Sequence, residues 1–306
     1  ADSGMDNKAI LKSRNMFALG LVCWLFNRNL EAAKQMLRDK FARKPEVAEA
    51  NVKVLEAGYD YGHNTHSSID HTYRIETAAQ KEKGKYMDIS GNKATAYGLI
   101  AAAEKTGKTL YLGSYPITPA TDILHELAKH KSLGVVPVQC EDEIAGCASA
   151  VGASFGGALA VTSTSGPGVC LKSEAMNLAV MTELPLVIIN VQRGGPSTGL
   201  PTKSEQSDLL QALFGRNGES PMPVIAASSP TDCFYKAYEA AKIALEHATP
   251  VILLTDAFIA NGTGAFKVPE IAALEAIKPS YVTPEMKGSW TPYTRNPETG
   301  ARYLAS

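Results

Sequence analysis

The sequence lacks the features that mark several large classes of protein. Its five cysteines form no C-x-x-C pair, which argues against a secreted disulfide scaffold. The same scatter argues against an iron–sulfur cluster or structural zinc held by this chain alone. The formal net charge is only −1, so nothing favours binding to nucleic acid or to an anionic membrane. We therefore expect a cytoplasmic protein that binds neither and holds no metal of its own.

Long hydrophobic runs are also missing. The most apolar segment, 16–26, is shorter than the roughly 20 residues that span a bilayer, and no signal-peptide cleavage site follows it. It instead predicts a buried helix. The 306 residues are 45% hydrophobic and 20% charged, the composition of an ordinary globular protein of about two domains.

Two outer zones differ from the middle of the chain. Apolar residues at helical spacing predict a helical zone over residues 1–60, with the last helix ending at Gly58. Polar chain over 61–90 predicts a linker, and its three histidines, His63, His66 and His71, fit no metal-ligand pair on one helix face. Residues 263–306, rich in Pro, Thr and Lys, predict a second linker that leads toward a further domain.

Between these zones, residues 91–262 alternate strands and helices. Short apolar runs predict strands at 109–113, 135–139, 159–162, 185–191, 224–227 and 250–254, with a helical pattern after most of them. This alternation predicts an α/β fold with a doubly wound, mostly parallel sheet and helices on both faces. Ligands bind outside the carboxyl ends of the strands of such a sheet, so the loops there are the candidates for a site.

The loop after the first of these strands is stiffened by two prolines. Tyr115, Pro116, Ile117 and Thr118 precede Pro119, which is well suited to a first helical turn. Thr118 is then either an N-cap that only starts the helix or a hydroxyl held rigidly at the sheet edge. The residues alone leave both interpretations open.

Three acidic residues follow the next strand. A helix N-terminus stabilises acids in general, but the helix after them is so rich in Ala, Gly and Ser that we expect it to pack closely and be buried. A carboxylate at its start would be partly desolvated and ready to exchange protons. Glu141 is nearest the strand and is the candidate, whereas Asp142 and Glu143 are expected to face solvent or the helix end.

Two further loops join a strand to a helix. Residues 162–168 (TSTSGPG) offer small side chains and free backbone N–H groups, around Ser165 and Gly166, to an anion or a cofactor ring. They match neither a dinucleotide-binding fingerprint nor a P-loop. After the fourth predicted strand, Arg193 either clamps a carboxylate with two parallel hydrogen bonds or is a surface arginine on a turn.

Taken together, these motifs resemble one family. YPITP, QCEDEIA, TSTSGPG and QRGGPSTGLPTKSEQ, in this order and spacing, are similar to the α subunit of the 2-oxoacid:ferredoxin oxidoreductases, and specifically to its 2-oxoglutarate type. The similarity is close over about 91–262. The segment before residue 60 resembles the tail of the family's γ domain, which some members fuse ahead of the α portion.

The resemblance implies that 91–262 is the pyrimidine-binding domain of a thiamine-diphosphate enzyme, with Glu141 as the carboxylate that activates the cofactor. It implies that Arg193 binds the carboxylate of the substrate, with hydroxyls from Thr118 and Thr202 nearby. Lys172 either meets the distal carboxylate of 2-oxoglutarate or is a solvated first-turn residue. The predicted contacts to the cofactor are Tyr115, Pro116, Ile117, Thr118, Glu141, Ser165 and Gly166.

The same resemblance implies a partner β subunit that holds Mg²⁺ and a [4Fe-4S] cluster, with ferredoxin as electron acceptor and coenzyme A as acyl acceptor. The predicted activity is oxidative decarboxylation of 2-oxoglutarate to succinyl-CoA, or its reverse. Three alternatives stay open: the same chemistry on pyruvate or a branched-chain oxoacid, an incomplete and non-catalytic piece, and a nucleotide-binding α/β protein of another class.

Overall fold

The computed structural model describes residues 7–65, 71–76 and 82–304. The chain divides into two compact units, Ala1–Lys83 and Gly84–Ser306. Each unit has its own hydrophobic core.

The first unit is helical, as the sequence predicts. Its helices are α1 (Asn7–Leu25), α2 (Glu31–Lys40) and α3 (Pro45–Asn64). Helices α1 and α3 touch backbone to backbone, because a Cβ built on Gly58 would lie 2.0 Å from the carbonyl oxygen of Phe17. The apolar segment 16–26 lies almost entirely in α1, but only one face is buried: Trp24 is enclosed while Val22 is 48% exposed.

The end of this helical zone was predicted too early. Helix α3 continues through Gly58 to Asn64, because a glycine inside a helix is tolerated where another backbone comes this close. His63 therefore lies in the last turn of a helix rather than in a linker, and His71 lies in irregular chain. His66, and with it much of the predicted linker (66–70 and 77–81), lies outside the described residues.

The second unit carries the α/β fold. Its strands are β1 (Tyr86–Ser90), β2 (Leu110–Ser114), β3 (Val135–Gln139), β4 (Leu159–Thr164), β5 (Leu186–Gln192), β6 (Val224–Ala226), β7 (Pro250–Asp256) and β8 (Thr263–Lys267). Its helices are α4 (Gly91–Thr106), α5 (Thr121–Leu127), α6 (Glu143–Phe155), α7 (Gly166–Leu171), α8 (Ser173–Met181), α9 (Leu209–Phe214), α10 (Asp232–His247) and α11 (Ala257–Asn261). Short 3₁₀ segments occupy Ala128–Leu133, Ile271–Ala273 and Pro284–Met286.

The main sheet has six strands in the order β3-β2-β4-β5-β7-β6, and every described pair in it is parallel. All six strands coincide with the predicted ones to within two residues at either end. The predicted doubly wound, mostly parallel sheet is thus confirmed.

Both faces of this sheet are covered. Along β5, Val187, Ile189 and Val191 point into one buried cluster, which α4, α5 and α10 complete. Leu186 and Ile188 point into a second cluster, on the side of α6 and α8. Successive residues of a strand face opposite sides, so two layers of helices bury β5 completely.

A small second sheet was not predicted. Strands β1 and β8 pair antiparallel, with Tyr86 opposite Lys267 and Ser90 opposite Thr263. The segment after β8 is also packed rather than extended, since Ile277 and Leu304 join the core cluster that contains α4 and α10. The prediction that 263–306 is a linker is therefore wrong, because residues of this segment pack into the core of the second unit.

Among the described residues, every helix is too short or too polar to traverse a bilayer.

Candidate functional site

The direction of chain winding changes between β2 and β4. The chain runs from β2 outward to β3 and then returns across β2 to β4, so the loops after β2 and β4 diverge and leave a crevice at the carboxyl edge. The two strand ends are joined there, because the Ser114 hydroxyl donates to the carbonyl of Ser163 at 2.9 Å. This crevice is where the fold favours a ligand.

The proline-containing loop after β2 forms one side of the crevice. Thr118 does not cap a helix, which was one of the two interpretations left open: α5 begins at Thr121, and the carbonyl of Ile117 accepts the backbone N–H groups of Ala120 and Thr121. Thr118 is exposed, and Tyr115 is 38% exposed. The interpretation that remains for Thr118 is the second, a hydroxyl held at the sheet edge.

The acidic block after β3 differs from the prediction. Asp142 is the N-cap of α6, with its carboxylate accepting from the Ala145 backbone N–H at 2.7 Å. This cap places Glu143 in the first turn, where it is only 7% exposed, and leaves Glu141 on the exposed approach to the helix. Glu143, rather than Glu141, is therefore the desolvated carboxylate, and the expectation that it faces solvent is wrong.

Glu143 lies against the loop after β4. A Cβ built on Gly168 would sit 2.9 Å from Cγ and 3.2 Å from Oε1 of Glu143, and 1.9 Å from Oγ1 of Thr164. Helix α6 can approach this closely because its inner face is made of small residues, among them Gly146 and Ala150, as predicted. Glu143, at the start of the helix after β3, and the glycine-rich loop after β4 are thus in contact beside the crevice.

The loop after β4 also presents a buried hydroxyl. Ser165 is fully enclosed, and no described residue accepts from or donates to its Oγ. Gly166, the next residue, is partly exposed and begins α7. A buried hydroxyl without a partner costs free energy, which a ligand in the crevice would recover.

Lys172 is fully buried, so its interpretation as a solvated first-turn residue is wrong. Its Nζ donates to Oγ1 of Thr162, in the middle of β4, at 2.5 Å. Burial lowers the pKa of Lys172 to about 8, although Cys147, Glu143 and Cys140 raise it in part. The amine has no exposed surface through which it would reach a substrate directly.

Arg193 is also buried, at 7% exposure, which contradicts the surface-arginine interpretation. Its Nη1 donates to the carbonyl of Thr118 at 2.6 Å and its Nη2 to the carbonyl of Thr198 at 2.8 Å. Within the described chain, Nε has no acceptor. The guanidinium is thus fixed between the loops after β2 and β5 with one edge still able to donate.

Side chains that the sequence did not single out hold the long loop after β5. Asn190 donates to Asp208 at 2.9 Å, and Gln192 accepts from the Asp208 backbone N–H at 3.0 Å. Gln206 donates to Asp256, at the end of β7, at 2.7 Å. Gln206 and Asp256 are 50 positions apart in the sequence, so no local spacing could identify such a contact.

This loop borders a cleft of about 430 Å³. Gly166, Arg193 and Asp208 line the cleft, whereas Thr202 lies on the exposed outer part of the loop. The structure therefore brings together residues from the loops after β2, β3, β4 and β5, with Thr202 at the margin.

Comparison with known proteins identifies the family of this site. Residues 102–303 match the family model described as "Pyruvate flavodoxin/ferredoxin oxidoreductase, thiamine diP-bdg". The chain belongs to this family. Residues 8–61, in the first unit, match a second model, "Pyruvate ferredoxin/flavodoxin oxidoreductase". The resemblance seen in the sequence motifs is confirmed.

Two curated relatives show which members of the family the chain resembles. The chain is 56% identical to the 2-oxoglutarate oxidoreductase subunit KorA of Mycobacterium tuberculosis, over 99% of this chain and 46% of the relative. It is 35% identical to 2-oxoacid:ferredoxin oxidoreductase 1, subunit alpha, of Aeropyrum pernix, over 89% of this chain and 42% of the relative. The chain spans about half the length of the curated relatives it matches.

A solved structure shares the fold. The 2-oxoglutarate:ferredoxin oxidoreductase from Magnetococcus marinus, with 2-oxoglutarate, coenzyme A and succinyl-CoA bound, superposes with a TM-score of 0.80 at 34% identity. The match covers 96% of this chain and 50% of that one.

The crevice suits the aminopyrimidine end of thiamine diphosphate. A ring nitrogen needs a carboxyl partner, and Glu143 offers a buried one, while the Ser165 hydroxyl is enclosed and without a partner. For the diphosphate end, no group of three or more His, Cys, Asp or Glu side chains in the described chain is placed to hold a metal ion. The described residues thus fit one end of the cofactor.

Proposed function

We propose that this chain is a subunit of a 2-oxoglutarate:ferredoxin oxidoreductase and supplies the pyrimidine side of its thiamine diphosphate site. One observation carries the proposal: a buried carboxylate, Glu143, lies at the β2/β4 crevice of a domain whose family model is described as thiamine diphosphate-binding. The choice of 2-oxoglutarate is supported by the names of the relative at 56% identity and of the Magnetococcus structure.

Thiamine diphosphate, when bound, supplies the carbon nucleophile and electron sink for decarboxylation of a 2-oxoacid. The contribution of this chain is to hold the aminopyrimidine ring and to exchange a proton with it. We assign that role to Glu143 instead of the predicted Glu141, because Glu143 is desolvated and in contact with the loop after β4. Tyr115, Pro116 and Ile117 are proposed to line the ring from the β2 side, and Ser165 and Gly166 from the β4 side.

Arg193 is proposed to bind the 1-carboxylate of the oxoacid. Its two carbonyl bonds fix the plane of the guanidinium, and the free Nε edge offers N–H donors to a carboxylate. A small movement of the loop after β5 must uncover this edge, since Nε is buried. Thr118 and Thr202 are exposed hydroxyls on the two loops beside it and complete the substrate side.

A partner subunit is proposed to hold Mg²⁺ and an iron–sulfur cluster, with ferredoxin and coenzyme A as the other reactants. The relatives are themselves named as subunits, which supports a multi-subunit enzyme. All five cysteines are free, as expected in the reducing cytoplasm.

The test is reconstitution. The chain is co-expressed with its partner subunit, and reduction of ferredoxin is measured with thiamine diphosphate, Mg²⁺, coenzyme A and either 2-oxoglutarate or pyruvate. We expect reduction that requires 2-oxoglutarate and coenzyme A together. Absence of reduction with every oxoacid would show a non-catalytic piece.

The Aeropyrum relative, named only for 2-oxoacids, favours a second candidate, a broader substrate range. Comparable kcat/KM values for pyruvate and 2-oxoglutarate in the same assay would establish that candidate instead.

A further inference from the structure

Lys172 occupies an unusual place for a lysine. It is the bulkiest fully buried side chain among the described residues and lies where α7 ends and α8 begins. Lysines are almost never fully buried without a charged or polar partner, because the ammonium loses its hydration. Among the described residues, its amine donates a hydrogen bond to the neutral hydroxyl of Thr162, which does not balance the charge.

Three titratable groups raise the pKa of this amine against the effect of burial. Cys147 and Glu143 lie one turn apart on α6, and Cys140 lies just after β3. Two of the three are thiols, and burial raises the pKa of the Cys147 thiol to about 11, so it is neutral at physiological pH. Glu143 is the only carboxylate among the three.

Lys172 and Glu143 both lie next to the contact between α6 and the loop after β4. The Lys172 backbone N–H donates to the carbonyl of Gly168 at 3.1 Å, so Lys172 lies one turn beyond the glycine that touches Glu143. The lysine side chain extends from this turn to β4, where its Nζ donates to Thr162. The Lys172 amine and the Glu143 carboxylate are thus both buried where α6 packs against residues 162–172.

We propose that Lys172 is a positioning residue for Glu143, holding that side chain in place as a carboxylate directed at the cofactor crevice. An enclosed cation attracts a nearby carboxylate more strongly than an exposed cation does, because water screens the pair less. This inference rests on the proposed function, since it assigns to Lys172 a part in the same site. It also replaces the predicted contact between Lys172 and the distal carboxylate of the substrate.

The direct test measures coupling in the chain without cofactor or substrate. The titration of the Lys172 ammonium is followed by NMR on protein labelled with ¹³C and ¹⁵N in lysine, and the Lys172→Met variant identifies its signal. We expect Glu143→Gln to move the midpoint to lower pH by roughly one unit, the effect of losing a nearby opposite charge. Glu141→Gln is the matched control, because it makes the same chemical change two residues away, at a side chain that is exposed.

Equal shifts in both variants, or no shift in either, would overturn the proposal. Because this experiment needs no turnover, it is independent of whether the assembled enzyme oxidises 2-oxoglutarate. Failure of the reconstitution assay with coupling intact would therefore count against the proposed function alone.

A second measurement uses the assembled enzyme. In the Lys172→Met complex we expect kcat to fall roughly 10- to 100-fold, the cost of a displaced catalytic group, with little change in KM for 2-oxoglutarate. A raised KM with kcat preserved would instead identify a substrate contact. An unchanged kcat and KM would leave Lys172 a structural residue, and either result would overturn the positioning role.

Discussion

Replacement of Gly168 by alanine tests the packing at the centre of the proposed site. The new Cβ would lie 1.9 Å from Oγ1 of Thr164 and 2.9 Å from Cγ of Glu143, both shorter than any ordinary contact. Thr164 is fully buried in β4 and has little room to move away. Overpacking of this kind costs about 1–3 kcal/mol of the free energy of unfolding.

Thermal unfolding followed by circular dichroism measures this cost. For a unit of this size, 1 kcal/mol lowers Tm by roughly 2–4 °C, so we expect a loss of about 2–12 °C. Gly152→Ala on α6 is the matched control, because a Cβ there meets nothing within 4 Å. Alanine inside a helix should stabilise by about 0.5–1 kcal/mol. Equal Tm values for the two variants would refute the described contact between α6 and the loop after β4.

Four further outcomes are expected. Arg193→Lys should raise KM for the oxoacid roughly 10- to 100-fold, because a charge-assisted hydrogen bond is lost, while cofactor affinity changes little. Steady-state kinetics showing weaker cofactor binding with KM for the oxoacid unchanged would instead indicate that Arg193 binds the cofactor. In native protein at pH 8, iodoacetamide should modify the exposed Cys170 and spare Cys147, whose pKa burial raises to about 11; mass spectrometry of the labelled peptides shows which reacts. Burial lowers the folded-state pKa of Lys172 to about 8 from 10.5, so between these pH values the unfolded chain binds more protons than the folded chain. The free energy of unfolding of the wild type should therefore increase relative to that of Lys172→Met as pH rises from about 8 to 10.5. Denaturant titrations in which the difference between the two free energies stays constant or falls would contradict this. Gly58→Ala should destabilise the first unit, since a Cβ there meets the backbone of α1, and an unchanged unfolding midpoint would exclude that contact.

The main sheet could be predicted from sequence because its central strands are buried on both faces. Such strands read as continuous apolar runs, as in β5 and β7, where every residue is buried. Strands β1 and β8 contain polar residues such as Asp88 and Thr263 and pair only with each other, so no run marks them. The segment after β8 contributes single residues to the core, among them Ile277, which spacing cannot identify.

The four loops of the candidate site could also be predicted, since parallel strands all end at one edge. The expectation that Glu141 is the desolvated acid was wrong, because burial here depends on which acid caps α6. A signal was present: aspartate is a preferred N-cap, which would place Glu143 in the first turn. Lys172 offered no comparable signal, because a lysine in a first turn normally extends to solvent.

The carboxylate assignment is tested most directly by comparing Glu143→Gln with Glu141→Gln in the complex with the partner subunit. The measurement is kcat for 2-oxoglutarate-dependent reduction of ferredoxin at saturating cofactor. If Glu143 exchanges a proton with the aminopyrimidine ring, its variant should lose about 10²- to 10⁴-fold, while Glu141→Gln keeps most of the turnover. Near-normal turnover in Glu143→Gln, with loss in Glu141→Gln, would contradict the account and return the role to Glu141.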